Sequence, residues 1–156
     1  MANFAPTKIV LPLNYPNYNR VDLNFYRHGA TYSATTYIHI KTNIPRYGGV
    51  MYMIELNGYN YGHAQAIQCA FTGYMYDDGS RPGITIYNPT QFQAYPGLTA
   101  DGQYLSSDNF LVLRCFKSDV TYANFSMDCY QTNPITSTVS PQVTAIAVNN
   151  TSGAHF

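Results

Sequence analysis

Hydrophobic and polar residues alternate with a period of two along most of this chain, and no segment has the 3.6-residue period of an amphipathic helix. In residues 20–26, Val21, Leu23 and Phe25 alternate with polar neighbours. Further runs of this kind bring the predicted strands to about eight: residues 35–44, 50–56, 66–76, 84–87, 110–117, 121–130 and 143–148. Many short strands joined by turns predict an all-β, antiparallel β-sandwich of jelly-roll type.

The alternation also predicts which way individual side chains point. In residues 35–44, the isoleucines share one face, so Tyr37, His39 and Lys41 are expected on the outer face. Residues 50–56 are apolar on both faces except at Glu55, which is the pattern of a central strand.

Turn chemistry separates several of these strands. Asn57-Gly58 and Asp77-Asp78-Gly79 supply residues that tolerate positive φ, so turns are predicted at both places. Ser118-Asp119 forms a short link between two alternating runs. Residues 110–117 and 121–130 are therefore predicted to form a hairpin.

Two stretches lack the strand pattern. Residues 1–19 contain Pro6, Pro12 and Pro16, which favours an extended N-terminal arm without regular pairing, ahead of a single β-sandwich domain at 20–156. Residues 88–109 contain two prolines and two glycines and are predicted to form a long loop. Loops of this length are usually functional or interfacial.

Composition excludes some classes of partner. Only 10% of the 156 residues are charged, and eight basic residues balance eight acidic ones. Binding to nucleic acid requires a surplus of basic residues on one face, so we expect no nucleic-acid partner. A surface of Asn, Thr, Ser, Tyr and Gln suits sugar hydroxyls or subunit contacts instead.

Membrane insertion is not expected either. No stretch approaches the roughly 20 apolar residues that span a bilayer. The apolar run at residues 9–13 is too short for a secretory signal and is broken by Pro12, so we expect the protein to be made in the cytoplasm.

Motifs for catalysis and metal binding are missing from the sequence. There is no GxSxG, HExxH or phosphate-binding loop. Glu55 is the one acidic residue within an apolar strand, and nothing nominates the second carboxyl that a glycosidase needs. The histidines have no metal-ligand spacing, so we expect neither an enzyme nor a cofactor. Three cysteines share faces with large apolar residues and are predicted to be buried thiols: Cys69, Cys115 and Cys129.

Tyrosine is the most distinctive component, with 16 residues. Gly58-Tyr59-Asn60-Tyr61 returns as Gly73-Tyr74-Met75-Tyr76, and alternation points Tyr74 and Tyr76 away from the core. Such rings could stack on a sugar, or simply form cross-strand aromatic pairs. The candidates for ligand binding or subunit contact are Tyr59, Tyr61, His63, Tyr74, Tyr76, Asp77, Asp78 and Arg81.

Several longer stretches resemble domains at the ends of tailed-phage fibres, cyanophage fibres in particular. The likeness covers residues 35–130 and is carried by "YIHIKTNIP", "MYMIELNGYNYG", "AIQCAFTGYMYDDG" and "DNFLVLRCF...YANFSMDCY". It implies a non-enzymatic virion component, often trimeric, displayed at a fibre tip or on the particle surface. It supplies no catalytic residues.

The leading hypothesis is therefore a homotrimeric tail-fibre protein of a phage virion that contacts host-surface glycans. The sequence contains no heptads, collagen repeat or fibre shaft, so docking to other virion proteins is assigned to residues 1–19. Two alternatives stay open. One is a capsid decoration protein that binds the head through residues 1–19, and the other is a free cytoplasmic lectin.

Overall fold

The computed structural model describes residues 7–9, 18–23, 36–46, 49–60, 64–76, 86–117, 123–131, 143–149 and 151–156. These residues form ten strands and no helix, and hence no helix long and apolar enough to cross a membrane. The strands are β1 Thr7–Ile9, β2 Tyr18–Leu23, β3 Thr36–Pro45, β4 Val50–Asn60, β5 Gln65–Met75, β6 Tyr87–Pro96, β7 Thr99–Leu105, β8 Phe110–Lys117, β9 Ala123–Gln131 and β10 Val143–Asn149.

The strands form two antiparallel sheets. One has six strands in the order β1-β2-β9-β4-β5-β6, and the other has four in the order β10-β3-β8-β7. β2 pairs with β9 in the first sheet and β3 pairs with β8 in the second, so early and late strands run side by side in both layers. This wrapping is typical of a jelly roll. The predicted antiparallel β-sandwich is confirmed.

The core lies between the sheets and is formed by alternate side chains of each strand. Ile40 and Leu113 contribute from the four-stranded sheet, and Ile54 and Phe71 from the six-stranded sheet. The three cysteines are buried among them, as predicted. Burial raises the pKa of the Cys129 thiol to about 12 and that of Cys115 well above its ordinary value, so both remain protonated.

The predicted hairpin of residues 110–117 and 121–130 is wrong. β8 lies between β3 and β7 in the four-stranded sheet, whereas β9 lies between β2 and β4 in the other. The chain therefore crosses from one layer to the other between these strands. Alternation sets which face of a strand is buried, but it does not specify the sheet to which that strand belongs.

The predicted loop at residues 88–109 is also wrong, because most of it forms β6 and β7. β6 is an edge strand, where a proline such as Pro89 loses no ladder hydrogen bond toward solvent. Gly97 follows it, and its amide donates to Ala66 O at 3.1 Å. A Cβ at Gly97 would meet that oxygen at 2.5 Å, so this crossing between layers requires glycine.

Two further predictions are corrected by the strand bounds. Asn57-Gly58 is not a turn, because β4 continues through it in register with β5 as far as Asn60. The absence of pairing predicted for residues 1–19 is wrong for Thr7–Ile9, which pairs with β2, and for Tyr18 and Asn19, which belong to β2 and pair with β9. The rest of that segment up to residue 17 lies outside the described residues, and the division into an arm and one domain stays a prediction.

Candidate functional site

The outer face of the six-stranded sheet carries large apolar side chains that are open to solvent. Phe92, with 62% of its surface exposed, is the most open of them. Among the residues whose side chains the structure describes, the exposed large apolar ones all belong to three strands of this sheet, β4, β6 and β9: Met51, Met53, Tyr59, Phe92, Tyr95 and Tyr130. β4 is a central strand, as predicted, but the apolar side chains on its outer face are exposed to solvent.

Strand register arranges these side chains in rows, because cross-strand partners point to the same side of a sheet. Met51 pairs with Tyr74, and two residues further along β4 Met53 pairs with Thr72 on one side and Tyr130 on the other. Successive rows are about 7 Å apart along the strands.

The middle row contains two carboxylates. Glu55 on β4 is the direct partner of Asp128 on β9, and on its other side it pairs with Ala70, which pairs in turn with Phe92. Both acidic residues are partly exposed. Sequence reasoning missed Asp128 because only the pairing of β4 with β9 brings it beside Glu55.

The next rows continue the face toward the far end of β4. Asn57 pairs with Gln68, which pairs with the exposed Tyr95 of β6. Tyr59 follows, opposite Ala66. The face is therefore an aromatic and thioether surface with amides and hydroxyls between the rings and two carboxylates at its centre.

The paired tyrosines cluster at the opposite end of the face. Tyr74 and Tyr76 are stacked, with ring centroids 5.2 Å apart and 16° between planes. Tyr87, the cross-strand partner of Tyr74, lies 6.3 Å from both rings. All three side chains are partly buried, and much of each ring's surface packs against the other two rings.

The structure does not bring all the sequence candidates together. Tyr59 lies eight positions along β4 from Met51, the partner of Tyr74, which is about 27 Å in an extended strand. Five candidates lie outside the described residues and stay predictions: Tyr61, His63, Asp77, Asp78 and Arg81.

The glycine of the second tyrosine motif has a structural role. Gly73 pairs with Tyr52, whose ring and hydroxyl occupy the space that a Cβ at position 73 would need. The Tyr52 hydroxyl donates to Gln103 Oε1, and Gln103 Nε2 donates to Thr72 O at 3.1 Å and to Thr90 O at 3.2 Å. Burial raises the pKa of Tyr52 above its ordinary value. This network ties β5 and β6, and hence the exposed face, to β7 of the other sheet.

The outer face of the four-stranded sheet is covered by the chain itself. Residues 151–156 lie over it, with the His155 amide donating to Tyr104 Oη at 3.1 Å and the Ser107 amide donating to Phe156 O at 3.1 Å. The Arg114 guanidinium donates to Ser152 O and also to Asp101.

His39 points to this face, as predicted, but it is completely buried rather than open to solvent. Its Nδ1 lies 2.9 Å from Tyr104 Oη, and its Nε2 lies 3.3 Å from Asn149 Oδ1. The sequence gives no sign of this burial, because the cover comes from a segment with no strand pattern.

A charged pair borders the covered face. Lys41 Nζ lies 2.7 and 2.8 Å from the carboxylate oxygens of Asp108 and 5.6 Å from the ring centroid of Phe156. The hydrogen bond from Lys41 lowers the pKa of Asp108. Residues 151–156 are thus fixed to the face by hydrogen bonds and by the cation–π contact between Lys41 and Phe156.

Comparison with known proteins gives one remote likeness. No family model and no curated protein matches this chain. Among solved structures, it is similar to the Acinetobacter phage vB_ApiP_P1 tailspike protein, with 14% identity and a TM-score of 0.35 over 92% of this chain. The match covers 25% of the tailspike chain. At this score the likeness supports no statement about the function of this chain.

The acidic and histidine side chains are the other candidates for binding, as metal ligands. In the part of the chain that the structure describes, no group of three or more His, Cys, Asp and Glu residues converges on one point. The arrangement on the six-stranded sheet is suited to contact through ring faces, hydroxyls and amides.

Proposed function

We propose that this protein is a non-enzymatic binding module of a phage virion, of the tail-fibre type, that binds host-surface glycan with the outer face of its six-stranded sheet. The observation that carries the binding role is the placement of six exposed large apolar side chains on that one face. The virion assignment rests on the fibre resemblance of residues 35–130.

The chemistry of the face favours a glycan over an apolar protein partner. A sugar ring packs its C–H groups on aromatic rings while its hydroxyls donate to nearby acceptors. Glu55 and Asp128, side by side in the central row, are acceptors of this kind. A partner with an apolar surface would bury the Glu55 carboxylate, which costs several kcal/mol unless that carboxylate is paired.

The exposed rings of β6 form the centre of the proposed site. Phe92 lies in the same row as Glu55, on the other side of Ala70, and Tyr95 lies in the next row beside Gln68. The self-packed cluster of Tyr74, Tyr76 and Tyr87 borders the site, because its ring faces are already partly occupied.

Binding to an array of bacterial capsule and lipopolysaccharide glycans tests this proposal. Phe92→Ala with Tyr95→Ala should weaken binding about 30-fold, at about 1 kcal/mol for each of the two stacked rings. Thr144→Ala, an exposed change on β10 of the other sheet, is the control and should bind like the unchanged protein. Unchanged binding by the double variant would remove the site assignment.

The two carboxylates are assigned to binding and not to hydrolysis. They lie on an open sheet face from which water is not excluded, whereas glycosidases place a carboxyl pair in an enclosed, substrate-distorting site. Mass spectrometry should therefore recover the bound glycan intact after incubation. Shortened products that disappear in Glu55→Gln would show instead that the pair is catalytic.

Homotrimer formation and docking to other virion proteins through residues 1–19 belong to the same proposal. Light scattering of the whole chain should give three chain masses, as for a fibre tip. Removing residues 1–17 spares β2 and should leave a folded domain. If the whole chain is a monomer, the result favours a free lectin. If the protein without residues 1–17 no longer binds phage heads, the result favours a capsid decoration protein.

A further inference from the structure

Asn149 sets the direction of the hydrogen bonds beneath residues 151–156. The Thr151 amide lies 3.1 Å from Asn149 Oδ1, and a backbone N–H can only donate, so the side-chain oxygen is at this position. His39 Nε2 contacts the same oxygen at 3.3 Å and must therefore carry a hydrogen. Asn149 Nδ2 then donates to His155 Nδ1 at 3.0 Å.

This arrangement is complete when His39 is neutral. A neutral imidazole has one N–H and one acceptor nitrogen, so with the hydrogen on Nε2 the Nδ1 atom accepts from Tyr104 Oη at 2.9 Å. Tyr104 Oη in turn accepts from the His155 amide at 3.1 Å. In this arrangement each of the five hydrogen bonds among His39, Tyr104, Asn149, Thr151 and His155 has one donor and one acceptor.

A second proton on His39 is incompatible with this pattern of donors and acceptors. Nδ1 would become a donor facing the Tyr104 hydroxyl, whose own hydrogen would have to turn away and lose its acceptor. The proton would also place a positive charge in a fully buried ring, with the ring centroid of His155 5.6 Å away. A buried charge without a counter-ion is strongly unfavourable.

The surroundings of His39 offer little compensation for that charge. Arg114 is its cross-strand neighbour on β8, and the acidic residues of this sheet, Asp101 and Asp108, form ion pairs with Arg114 and Lys41. The titratable groups that contact or pair with His39 are Tyr37 on β3, Tyr104 on β7, Arg114 on β8 and His155 in the covering segment, while β10, which pairs with β3 beside it, contributes none.

We propose that protonation of His39 releases residues 151–156 from the outer face of the four-stranded sheet, so that this face opens in mildly acidic solution. The two states differ in the segment that bears His155 and Phe156, while the sandwich beneath stays folded. This switch is independent of glycan binding on the opposite sheet.

The direction of the pH dependence follows from the environment of His39. Desolvation lowers its pKa below the ordinary value of 6.5, and the charges of His155 and Arg114 lower it further, while the hydrogen bonds to Asn149 and to the Thr151 backbone raise it by less. The covered form therefore has its full stability above pH 6.5 and loses it as the pH falls below that value. One proton changes the ratio of covered to open protein by up to tenfold per pH unit.

NMR of the whole chain tests the switch directly. We expect the backbone amides of residues 151–156 to give ordered heteronuclear NOE values at pH 7.5 and mobile values in acid, with a midpoint below 6.5 that matches the imidazole titration of His39. The amides of β3 and β8 should stay ordered. A segment that remains ordered while His39 titrates would overturn the proposal.

Three variants identify the group responsible. His39→Gln should abolish the pH dependence, and His28→Gln, the control, should leave the midpoint unchanged. Tyr104→Phe removes the donor to Nδ1 and should move the midpoint to higher pH. If His39→Gln does not fold, Tyr104→Phe decides, and a midpoint that stays in place in that variant contradicts the proposal.

Discussion

The two outer faces of this sandwich are opposite in both polarity and cover. The face of the four-stranded sheet presents His39, Lys41 and Arg114, yet residues 151–156 cover it and His39 has no exposed surface. The face of the six-stranded sheet presents Met, Phe and Tyr side chains, yet these are open to solvent. The polar face is covered by residues 151–156, which complete its hydrogen bonds. The apolar face is open in the free protein and, in our proposal, is covered by a bound glycan.

This contrast predicts that changes on the two faces have different consequences. On the covered face, a lost side chain leaves buried donors and acceptors without partners, which reduces the free energy of unfolding. On the exposed face, a lost side chain uncovers nothing, so folding is unaffected and only binding suffers.

Removal of residues 151–156 should have the largest effect on stability. It deletes the hydrogen bonds from Ser107, Arg114 and the His155 amide and opens His39 to water. At about 1 kcal/mol for each bond, the free energy of unfolding should fall by about 3 kcal/mol. Urea unfolding at pH 7.5 measures this loss, and a value below about 1 kcal/mol would mean that the segment rests on the face without stabilising it.

Tyr104→Phe should reduce the free energy of unfolding by less, about 1–2 kcal/mol. The change leaves His39 Nδ1 and the His155 amide without the hydroxyl that both contact. The ring itself is kept, so packing is unchanged. Thermal unfolding of the variant beside the unchanged protein gives the difference. Equal melting temperatures would show that water replaces the hydroxyl.

Asp101→Asn should cost under about 1 kcal/mol although it removes a close ion pair with Arg114. Both partners are partly exposed, so solvent screens the pair, and Arg114 keeps its bond to Ser152 O. The check is the urea midpoint at low and at high salt. A loss above 2 kcal/mol would mean that the pair is effectively buried.

Phe92→Ala with Tyr95→Ala should have the smallest effect on folding, within about 0.5 kcal/mol, because both rings are exposed on an edge strand. The same variant should lose glycan binding, which separates the roles of the two faces. If the free energy of unfolding measured in urea instead falls by more than about 1.5 kcal/mol in the double variant, these rings stabilise the fold and do not form a binding site.

The sequence predicted well which side chains point into the core, but it predicted poorly which strands pair with each other. Ile38, Ile40 and the three cysteines were placed correctly, since alternation alone decides which side of a strand is buried. Alternation could not place β8 and β9 in different sheets. Nor could it recover β6, an edge strand whose Asn, Pro, Thr and Gln residues carry no period-two pattern.

The candidate site was only partly foreseeable for the same reason. Tyr74 does lie on the outer face, but Asp128 reaches Glu55 through pairing between strands far apart in sequence. Phe92 and Tyr95 were hidden in a segment predicted to be a loop. The burial of His39 depends on a covering segment whose contacts are long-range.

The most direct test of the account compares both faces in one sample, by hydroxyl-radical footprinting with and without the glycan that binds best on the array. We predict protection of Met51, Met53, Phe92, Tyr95 and Tyr130, with no change at Tyr37 or Phe116 on the four-stranded sheet. Protection confined to Tyr37 and Phe116, with Phe92 and Tyr95 oxidised as fast as in free protein, would contradict it.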